Sequence, residues 1–234
     1  KVYETTAEAQ EDGLIDMIAN NRTGNNGIDY RERVGGDVKW LDTNGDNIID
    51  IDDQVVLGNA TPDITGGLGT TINFQGFELY VFLAFALGHH IVNQHRYRMN
   101  SNSQGNINGT SDLLRAWNEE GDVTDVPRFV FFDFGNARNF HRPDGPTSGG
   151  GWQGASSQYV EKGDYLSIRT VRLTYNLPKT MVNEIGLSSV KAYVAGQNLH
   201  YFTGYKGYNP EVTQIDSGRY PLFRNMSVGL NIGF

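Results

Sequence analysis

The chain has 234 residues, of which 38% are hydrophobic, 12% are aromatic and 20% are charged, and this composition excludes a disordered tail. Its 29 glycines, beside so many aromatic residues, suit strands and turns better than a helical core, and the absence of cysteine excludes a disulfide framework. With 19 basic residues, 27 acidic residues and a net charge of −8, the chain has no basic cluster with which to bind nucleic acid.

The first part of the chain is polar. We expect a short helix within residues 4–21 and turns within residues 22–36, where glycine and asparagine are frequent. An Asp-rich loop follows at residues 42–53. It leads into a short apolar stretch at residues 55–57.

The Asp-rich loop reads DTNGDNIIDIDD and has the spacing of an EF-hand or dockerin-type calcium loop. Its candidate ligands, at positions one, three, five, seven, nine and twelve, are Asp42, Asn44, Asp46, the Ile48 carbonyl, Asp50 and Asp53. Two positions depart from that pattern, because Asn47 replaces the glycine at position six and an aspartate replaces the glutamate at position twelve. A structural Ca²⁺ site is one interpretation. The other is a turn that satisfies its own backbone hydrogen bonds.

Alternation with a period of two begins at Gly66 and predicts a β-hairpin about the turn Gln75-Gly76. The residues predicted to share one face are Leu68, Thr70, Ile72 and Phe74 before the turn, and Phe77, Leu79, Val81, Leu83, Phe85 and Leu87 after it.

Three more strands are predicted further along the chain, separated by two long loops and a shorter link. The strands are 165–177, with a phase slip near Thr170 that indicates a bulge, 190–199 and 222–234, and the connections are 88–164, 177–189 and 200–221. Strands of about nine to eleven residues have the length that a tilted strand needs to cross a bilayer. Connections that alternate between short and long are typical of transmembrane barrels. On pattern alone, a soluble β-sandwich with one buried face per strand is equally consistent.

Two long stretches resemble a known family. Residues 36–88, which begin GDVKWLDTNGDNIIDIDD, and residues 159–212, which begin YVEKGDYLSIRTVRLTYN, are similar to the C-terminal portion of SusC/RagA-type TonB-dependent outer-membrane transporters of Bacteroidetes. The resemblance runs from about Gly36 to Phe234.

This resemblance implies an all-β fold, in which the chain supplies about five or six C-terminal strands of a 22-stranded antiparallel transmembrane barrel with long extracellular loops. Residues 1–65 would form an extracellular loop region that contains the Asp-rich loop, and residues 66–234 would form the barrel strands and their loops. Five strands cannot close such a barrel, so we expect the upstream plug and barrel segments to lie outside this chain.

The resemblance also implies a location and partners. It implies a Bacteroidetes-type outer membrane, with outer-membrane lipid around the strands, a SusD-like surface lipoprotein over the barrel, and TonB reached through an N-terminal part absent from this chain. The implied function is import of oligosaccharides or peptides. The alternative is a soluble, calcium-stabilised β-sandwich that binds carbohydrate.

The final strand, MSVGLNIGF, places large apolar residues at every second position, with serine, glycine and asparagine between them. In a barrel the apolar face would contact acyl chains and the small, polar face would line the lumen. Phe234 resembles the C-terminal signal by which outer-membrane barrels are recognised for assembly. In a sandwich, Phe234 would merely end a strand.

Aromatic residues in the loops are candidates for stacking on a sugar or peptide, or alternatively for pinning loops and forming an interfacial girdle. They are Trp117, Trp152, Tyr201, Tyr205 and Tyr208.

Two further groups of polar residues could be assigned chemistry. His89, His90 and His95 could be interpreted as zinc ligands or as a polar rim at the membrane boundary. Acidic residues such as Glu119, Glu120 and Asp122 could be interpreted as glycosidase carboxylates, but any acidic loop offers such pairs. The sequence contains no catalytic constellation, and we expect a protein that is not an enzyme.

Overall fold

A computed structural model describes residues 1–20, 27–49, 51–100, 108–129, 139 and 156–234, with the backbone alone at 16–20, 27–31 and 51. In chain order the helices and strands are α1 (Thr6–Asp12), β1 (Ile15–Asn20), β2 (Gly27–Glu32), β3 (Ile48–Ile49), β4 (Ile64–Phe74), β5 (Phe77–Leu87), β6 (His90–Val92), α2 (Gln94–Asn100), β7 (Val160–Lys162), β8 (Tyr165–Asn176), α3 (Lys179–Glu184), β9 (Ser189–Thr203) and β10 (Asn225–Gly233). Two short 3-10 helices lie at Ile51–Asp53 and Ser111–Arg115. No helix among these residues is long and apolar enough to cross a membrane.

The chain divides into two compact units. The first unit contains Lys1–Leu57 and Val92–Val160, and the second contains Gly58–Ile91 and Glu161–Phe234. The division at residue 65 that the sequence suggests stays a prediction.

The first unit opens with the expected helix, which is shorter than the polar run around it. The Thr5 side chain caps α1 by accepting a hydrogen bond from the Glu8 amide, and Gly13 ends the helix in the left-handed conformation. Beyond Gly13 the chain forms β1, which pairs antiparallel with β2 and parallel with β3. The prediction of turns throughout residues 22–36 is therefore wrong for Gly27–Glu32. The β1–β2 ladder satisfies backbone groups in both strands, and this pairing overrides the local turn preference.

A buried carboxylate organises part of the first unit. The Asp37 side chain is 0% exposed, and its Oδ1 accepts hydrogen bonds from Arg128 Nε at 2.7 Å and from Asn139 Nδ2 at 3.2 Å. Its Oδ2 accepts one from the Val34 amide at 3.2 Å. The charge is thus paired and hydrogen-bonded, as burial of a carboxylate requires.

The second unit is an antiparallel five-stranded sheet with the strand order β10-β9-β8-β5-β4. The predicted tight turn joins β4 to β5, with positive φ at both Gln75 and Gly76. The predicted bulge is confirmed, because the register of β8 against β9 shifts between Ile168 and Thr170. The link before β9 contains α3, as expected of a short turn or helical link. The short connections therefore lie at one end of the strands, and the long connections lie at the other end.

Candidate functional site: the two faces of the sheet

The register of the sheet places apolar side chains of all five strands on one face. One row runs straight across it through the cross-strand pairs Ile72–Leu79, Leu79–Leu173, Leu173–Val194 and Val194–Val228. The side chains of this row are open to the surroundings, with Ile72 57% exposed and Val228 85% exposed. We call this surface the apolar face.

Exposed side chains of the apolar face come from all five strands. Its exposed members are Ile64, Leu68, Ile72, Phe74, Phe77, Leu87, Leu166, Leu173, Val194, Phe202, Met226, Val228, Leu230 and Ile232. No second sheet covers them among the described residues, whereas a β-sandwich would bury such a face. A contiguous apolar surface of this extent marks contact with a membrane or another apolar partner.

Aromatic rings lie at both ends of the apolar face. At the end with the tight turn, the Phe77 and Tyr175 rings are 4.7 Å apart between centroids. At the end with the long loops, the His200 and Phe202 rings are 4.5 Å apart. Because β5 has 11 residues, it is roughly 35 Å long at about 3.3 Å per residue, and a tilt of about 40° makes it cover roughly 25 Å of bilayer. Aromatic girdles flank a band of that height in outer-membrane barrels.

The opposite surface, the polar face, carries small and polar residues with a few large rings. A Cβ built on Gly67 would lie 2.9 Å from the Phe82 ring, and one built on Gly229 would lie 2.5 Å from the Tyr193 ring. Each glycine therefore leaves room for a ring from the neighbouring strand to lie against the backbone. The Arg172 guanidinium lies 4.2 Å from the centroid of the Tyr193 ring, which is a cation–π contact.

The bulge in β8 attaches the loop after β9 to the sheet. Arg169 sits at the bulge, and its Nη2 lies 2.5 Å from Glu211 Oε2. The other oxygen of Glu211 accepts a hydrogen bond from the Tyr201 hydroxyl at 2.6 Å. Asn198, which has a positive φ of 51°, donates to the Phe223 carbonyl at 3.2 Å. The loop is thus held in its interior through Glu211 and just before β10 through Phe223.

Tyr205 and Tyr208 occupy different environments in this loop. Tyr205 is 6% exposed, packs with Ile91 and Val212, and donates a 2.9 Å hydrogen bond to Asp216, which is 0% exposed. Burial, and next the hydrogen bond to Asp216, raise the pKa of Tyr205. Tyr208 is 58% exposed. The Tyr205 ring therefore holds the loop together, whereas more than half of the Tyr208 surface is exposed.

The structure describes one of the two candidate tryptophans. Trp117 belongs to the first unit, where its Nε1–H donates to the Glu4 carbonyl at 3.0 Å. Its ring covers Gly36, since a Cβ there would lie 2.4 Å from it. Trp152 lies outside the described residues.

The Asp-rich loop is closed by its own hydrogen bonds. Asp42 accepts the Gly45 amide at 2.6 Å and the Asn47 amide at 2.8 Å, and Asp53 accepts the Thr43 amide at 2.7 Å. The bond from Asn47, followed by that from Gly45, lowers the pKa of Asp42. Asn47 takes the left-handed conformation, with φ of 62°, that position six of the pattern needs.

Two further candidate ligands of that loop, Asn44 and Asp46, also accept hydrogen bonds from backbone amides. Asn44 accepts the Asp46 amide and Asp46 accepts the Ile48 amide, at 2.9 and 2.8 Å. Asp50 lies outside the described residues. Among the residues that are described, no group of three histidines or acids is arranged to hold a metal ion.

The absence of a metal-binding group among the described residues also applies to the candidate zinc ligands His89, His90 and His95. His89 is 3% exposed and meets the Tyr165 ring edge-on at 6.5 Å. Two of the acidic residues considered as glycosidase carboxylates accept hydrogen bonds within the first unit. Glu120 accepts hydrogen bonds from the Thr6 amide and hydroxyl, and Asp122 accepts one from the Asn118 amide.

Sequence reasoning missed the residues that organise the polar face and its loop. Arg172, Tyr193 and Gly229 come from three different strands, and Arg169 meets Glu211 across 42 positions of sequence. The alternation of the strands assigns Arg172 and Tyr193 to the polar face, which is the one signal that points to them.

The fold and the two faces define a class of protein: the sheet is a fragment of a large antiparallel transmembrane β-barrel. Comparison with known proteins identifies the kind of barrel. The chain is similar to TonB-dependent receptor P3 of Formosa agariphila, with 29% identity over 213 residues that cover 86% of this chain and 19% of the relative. TonB-dependent receptor P26 of the same organism is 27% identical and matches 86% of this chain and 20% of its own length.

Solved structures give the same result. A structure of the RagAB peptide importer in the open-open state matches with a TM-score of 0.58 and 26% identity, over 74% of this chain and 17% of that chain. The closed-closed state matches with a TM-score of 0.64 over 96% of this chain and 22% of that chain, and its 21% identity shows the fold alone. No family model matches the chain.

These comparisons confirm the resemblance to SusC/RagA-type TonB-dependent transporters and the all-β barrel fold. The relatives are receptors and importers, in agreement with the expectation that the protein is not an enzyme. The chain spans about a fifth of the length of the curated relatives it matches.

Proposed function

We propose that this chain forms the C-terminal strands of a TonB-dependent transporter that imports oligosaccharides or peptides across a Bacteroidetes-type outer membrane. The apolar face contacts acyl chains, and the polar face lines the lumen beside the plug. The observation that carries this proposal is the exposed apolar face with aromatic rings at both ends, since such a surface is stable only against hydrocarbon or another apolar partner.

The relatives support the function as well as the fold. The Formosa agariphila proteins are TonB-dependent receptors by name, and the RagAB structures are described as a peptide importer. Peptides are therefore one of the two substrate classes that we propose, with oligosaccharides as the other. Tyr208, 58% exposed, is the more exposed aromatic candidate in the loop after β9.

The arrangement of the connections supports an orientation. We place the tight turn Gln75-Gly76 and Phe234 at the periplasmic side, because outer-membrane barrels have short periplasmic turns. The long connections 88–164 and 200–221, together with residues 1–65, then lie outside the cell, where a SusD-like lipoprotein covers them. TonB acts through the part of the protein that this chain lacks. The free edge of β10 pairs with the first strand of the barrel, and Phe234, 96% exposed after that strand, serves as the assembly signal.

The Asp-rich loop is proposed to bind a structural Ca²⁺ ion. Its donors, from Asp42, Asn44, Asp46, Ile48, Asp50 and Asp53, are the hard oxygens that calcium prefers. The hydrogen bonds to Asp42 and the left-handed Asn47 support the fit, because they hold the loop closed around its own carboxylates. The ion would stabilise the loop and take no part in transport chemistry.

Cell fractionation and uptake test the proposed function. The full-length protein is expressed in a Bacteroidetes host, membranes are separated, and accumulation of labelled oligopeptides and oligosaccharides is measured with and without TonB. We expect the protein in the outer-membrane fraction and TonB-dependent accumulation of one of the two classes. A protein that is recovered in detergent-free buffer as a folded monomer, with no effect on uptake, would contradict the proposal.

A further inference from the structure

Arg172 lies on the polar face, and none of the described residues is an acidic partner for it. Its cross-strand neighbours are Tyr80 on β5 and Ala195 on β9. The side chain is half-buried, and its Nε is buried without a hydrogen-bond partner. Within the described part of the chain the guanidinium forms a cation–π contact but no ion pair.

The stack that holds Arg172 is built from two other strands. Tyr193 and Gly229 are a cross-strand pair of β9 and β10, and the missing Cβ of Gly229 lets the Tyr193 ring lie against the backbone. The ring in turn positions the guanidinium by a cation–π contact. Such a contact leaves N–H groups at the edge of the guanidinium, and their fork matches the two oxygens of a carboxylate.

A half-buried cation without a counter-charge is unfavourable once water is excluded around it. We propose that Arg172 binds an aspartate or glutamate side chain from the part of the polypeptide outside this chain. This inference rests on the proposed function, in which the polar face encloses a lumen filled by that part.

Two observations favour a partner within the same protein over a transported carboxylate. About four-fifths of the length of the relatives lies outside the matched segment, so ample polypeptide exists to supply the acid. Arg172 also pairs with Tyr80, which is nearer to the tight turn than to the end of β5 at Leu87. The arginine is therefore remote from the long loops, where a ligand enters under the proposed orientation.

Zero-length cross-linking tests the proposal in the full-length protein. The variant R172K replaces the guanidinium with an amine, which a carbodiimide joins to an adjacent carboxylate by forming an amide with loss of water to the reagent. We expect mass spectrometry to find one dominant cross-link between position 172 and an acidic residue upstream of Lys1. Combining R172K with G229A should reduce its yield, because the added Cβ displaces the Tyr193 ring.

The matched control is Q197K, which places an amine on the same face one strand away, since Gln197 pairs with Thr170, two residues before Arg172 on β8. The proposal is overturned if position 172 cross-links no more than position 197, or only to an acid within this chain. It is also overturned if a labelled oligopeptide is captured through its carboxylate while the protein without ligand gives no cross-link.

A second measurement covers the case in which R172K fails to assemble. Phenylglyoxal modifies free guanidinium groups, so in the wild-type full-length protein Arg172 should react roughly tenfold more slowly than exposed Arg224, as a charged hydrogen-bonded pair requires. Equal rates would overturn the proposal. Recovery of the wild-type protein from the outer-membrane fraction tests the proposed function independently.

Discussion

At the scale of single residues, Tyr205 and Asp216 form a buried polar pair inside the loop after β9. Asp216 also accepts the Gly218 amide at 2.9 Å, so the phenol is one of several donors that satisfy its carboxylate. Because the pair is buried, removing the Tyr205 hydroxyl leaves a carboxylate oxygen of Asp216 without its hydrogen bond.

The variant Y205F should therefore destabilise the loop by about 1–3 kcal/mol. Amide hydrogen exchange over the residues that follow β9 should accelerate, while exchange in the sheet stays unchanged. The control Y220F alters a tyrosine of the same loop that is 78% exposed and should leave exchange as in the wild type. Equal effects of the two variants would contradict the role assigned to Tyr205.

The raised pKa of Tyr205 predicts a dependence on alkaline pH. Burial favours the neutral phenol, so its stabilising contribution is fully present below the ordinary pKa of 10.0 and is lost as the pH rises above it. Exchange in the loop should accelerate above that pH in the wild type and less steeply in Y205F. A loop that loosens equally in both proteins would contradict this explanation.

Asp42 provides the test of the calcium site. D42N keeps the size of the side chain but removes a charge, and we expect calcium affinity to fall tenfold or more, since affinity in such loops follows the number of charged ligands. Isothermal titration of the full-length protein measures it. The control D52N changes an aspartate of the same loop that is not at a predicted ligand position. A wild-type protein that binds no calcium would contradict the site.

At the scale of elements, the bulge in β8 connects the sheet to the loop. The Arg169 and Glu211 side chains are 25% and 16% exposed, so their ion pair is partly shielded from water. Such a pair contributes more than a surface salt bridge does.

Breaking this pair should release the loop. R169M or E211Q should weaken the attachment of the loop by about 2 kcal/mol, which is roughly a thirtyfold change in the opening equilibrium. The swapped pair R169E/E211R should recover part of it. Hydrogen exchange after β9 measures the effect, and R224M is the control for loss of a nearby arginine. If neither single variant accelerates exchange, the bulge does not anchor the loop.

The long strands could be predicted from the sequence because one face of each strand is apolar, and alternation then identifies both the strand and its apolar side. The slip at Thr170 was visible for the same reason, since a bulge changes the phase of that alternation. The strand β2 could not be predicted, because its residues have turn preferences and it forms through pairing with β1.

The polar face was harder to predict than the apolar face. Its organisation depends on which residue of one strand lies beside which residue of the next, as in the pairing of Tyr193 with Gly229. Register is a property of the folded sheet, and alternation within one strand does not determine it. The pattern of the Asp-rich loop could be recognised because it lies within one continuous segment. The hydrogen bond from Trp117 to the Glu4 carbonyl could not be predicted, because the residues next to Trp117 in sequence do not indicate it.

At the scale of the whole molecule, the sheet has two unlike surfaces and two free edges. Contact with hydrocarbon stabilises the apolar face, whereas the unpaired backbone N–H and C=O groups of an edge strand are not tolerated in lipid. The chain therefore fits a larger closed barrel, in which further strands pair with β4 and β10. Whether the apolar face of β10 contacts hydrocarbon is therefore the central question about this protein.

The most direct measurement is a nitroxide scan along β10 in the full-length protein, reconstituted in a bilayer. These 234 residues contain no cysteine, so once any cysteine elsewhere in the full-length protein is replaced by serine, single cysteines at successive positions from Met226 to Ile232 can be labelled one at a time. Relaxation by oxygen, which dissolves in acyl chains, should exceed relaxation by a water-soluble nickel complex at positions 226, 228, 230 and 232, and should fall at the positions between them. Uniform access of the nickel complex, or no alternation, would contradict the account.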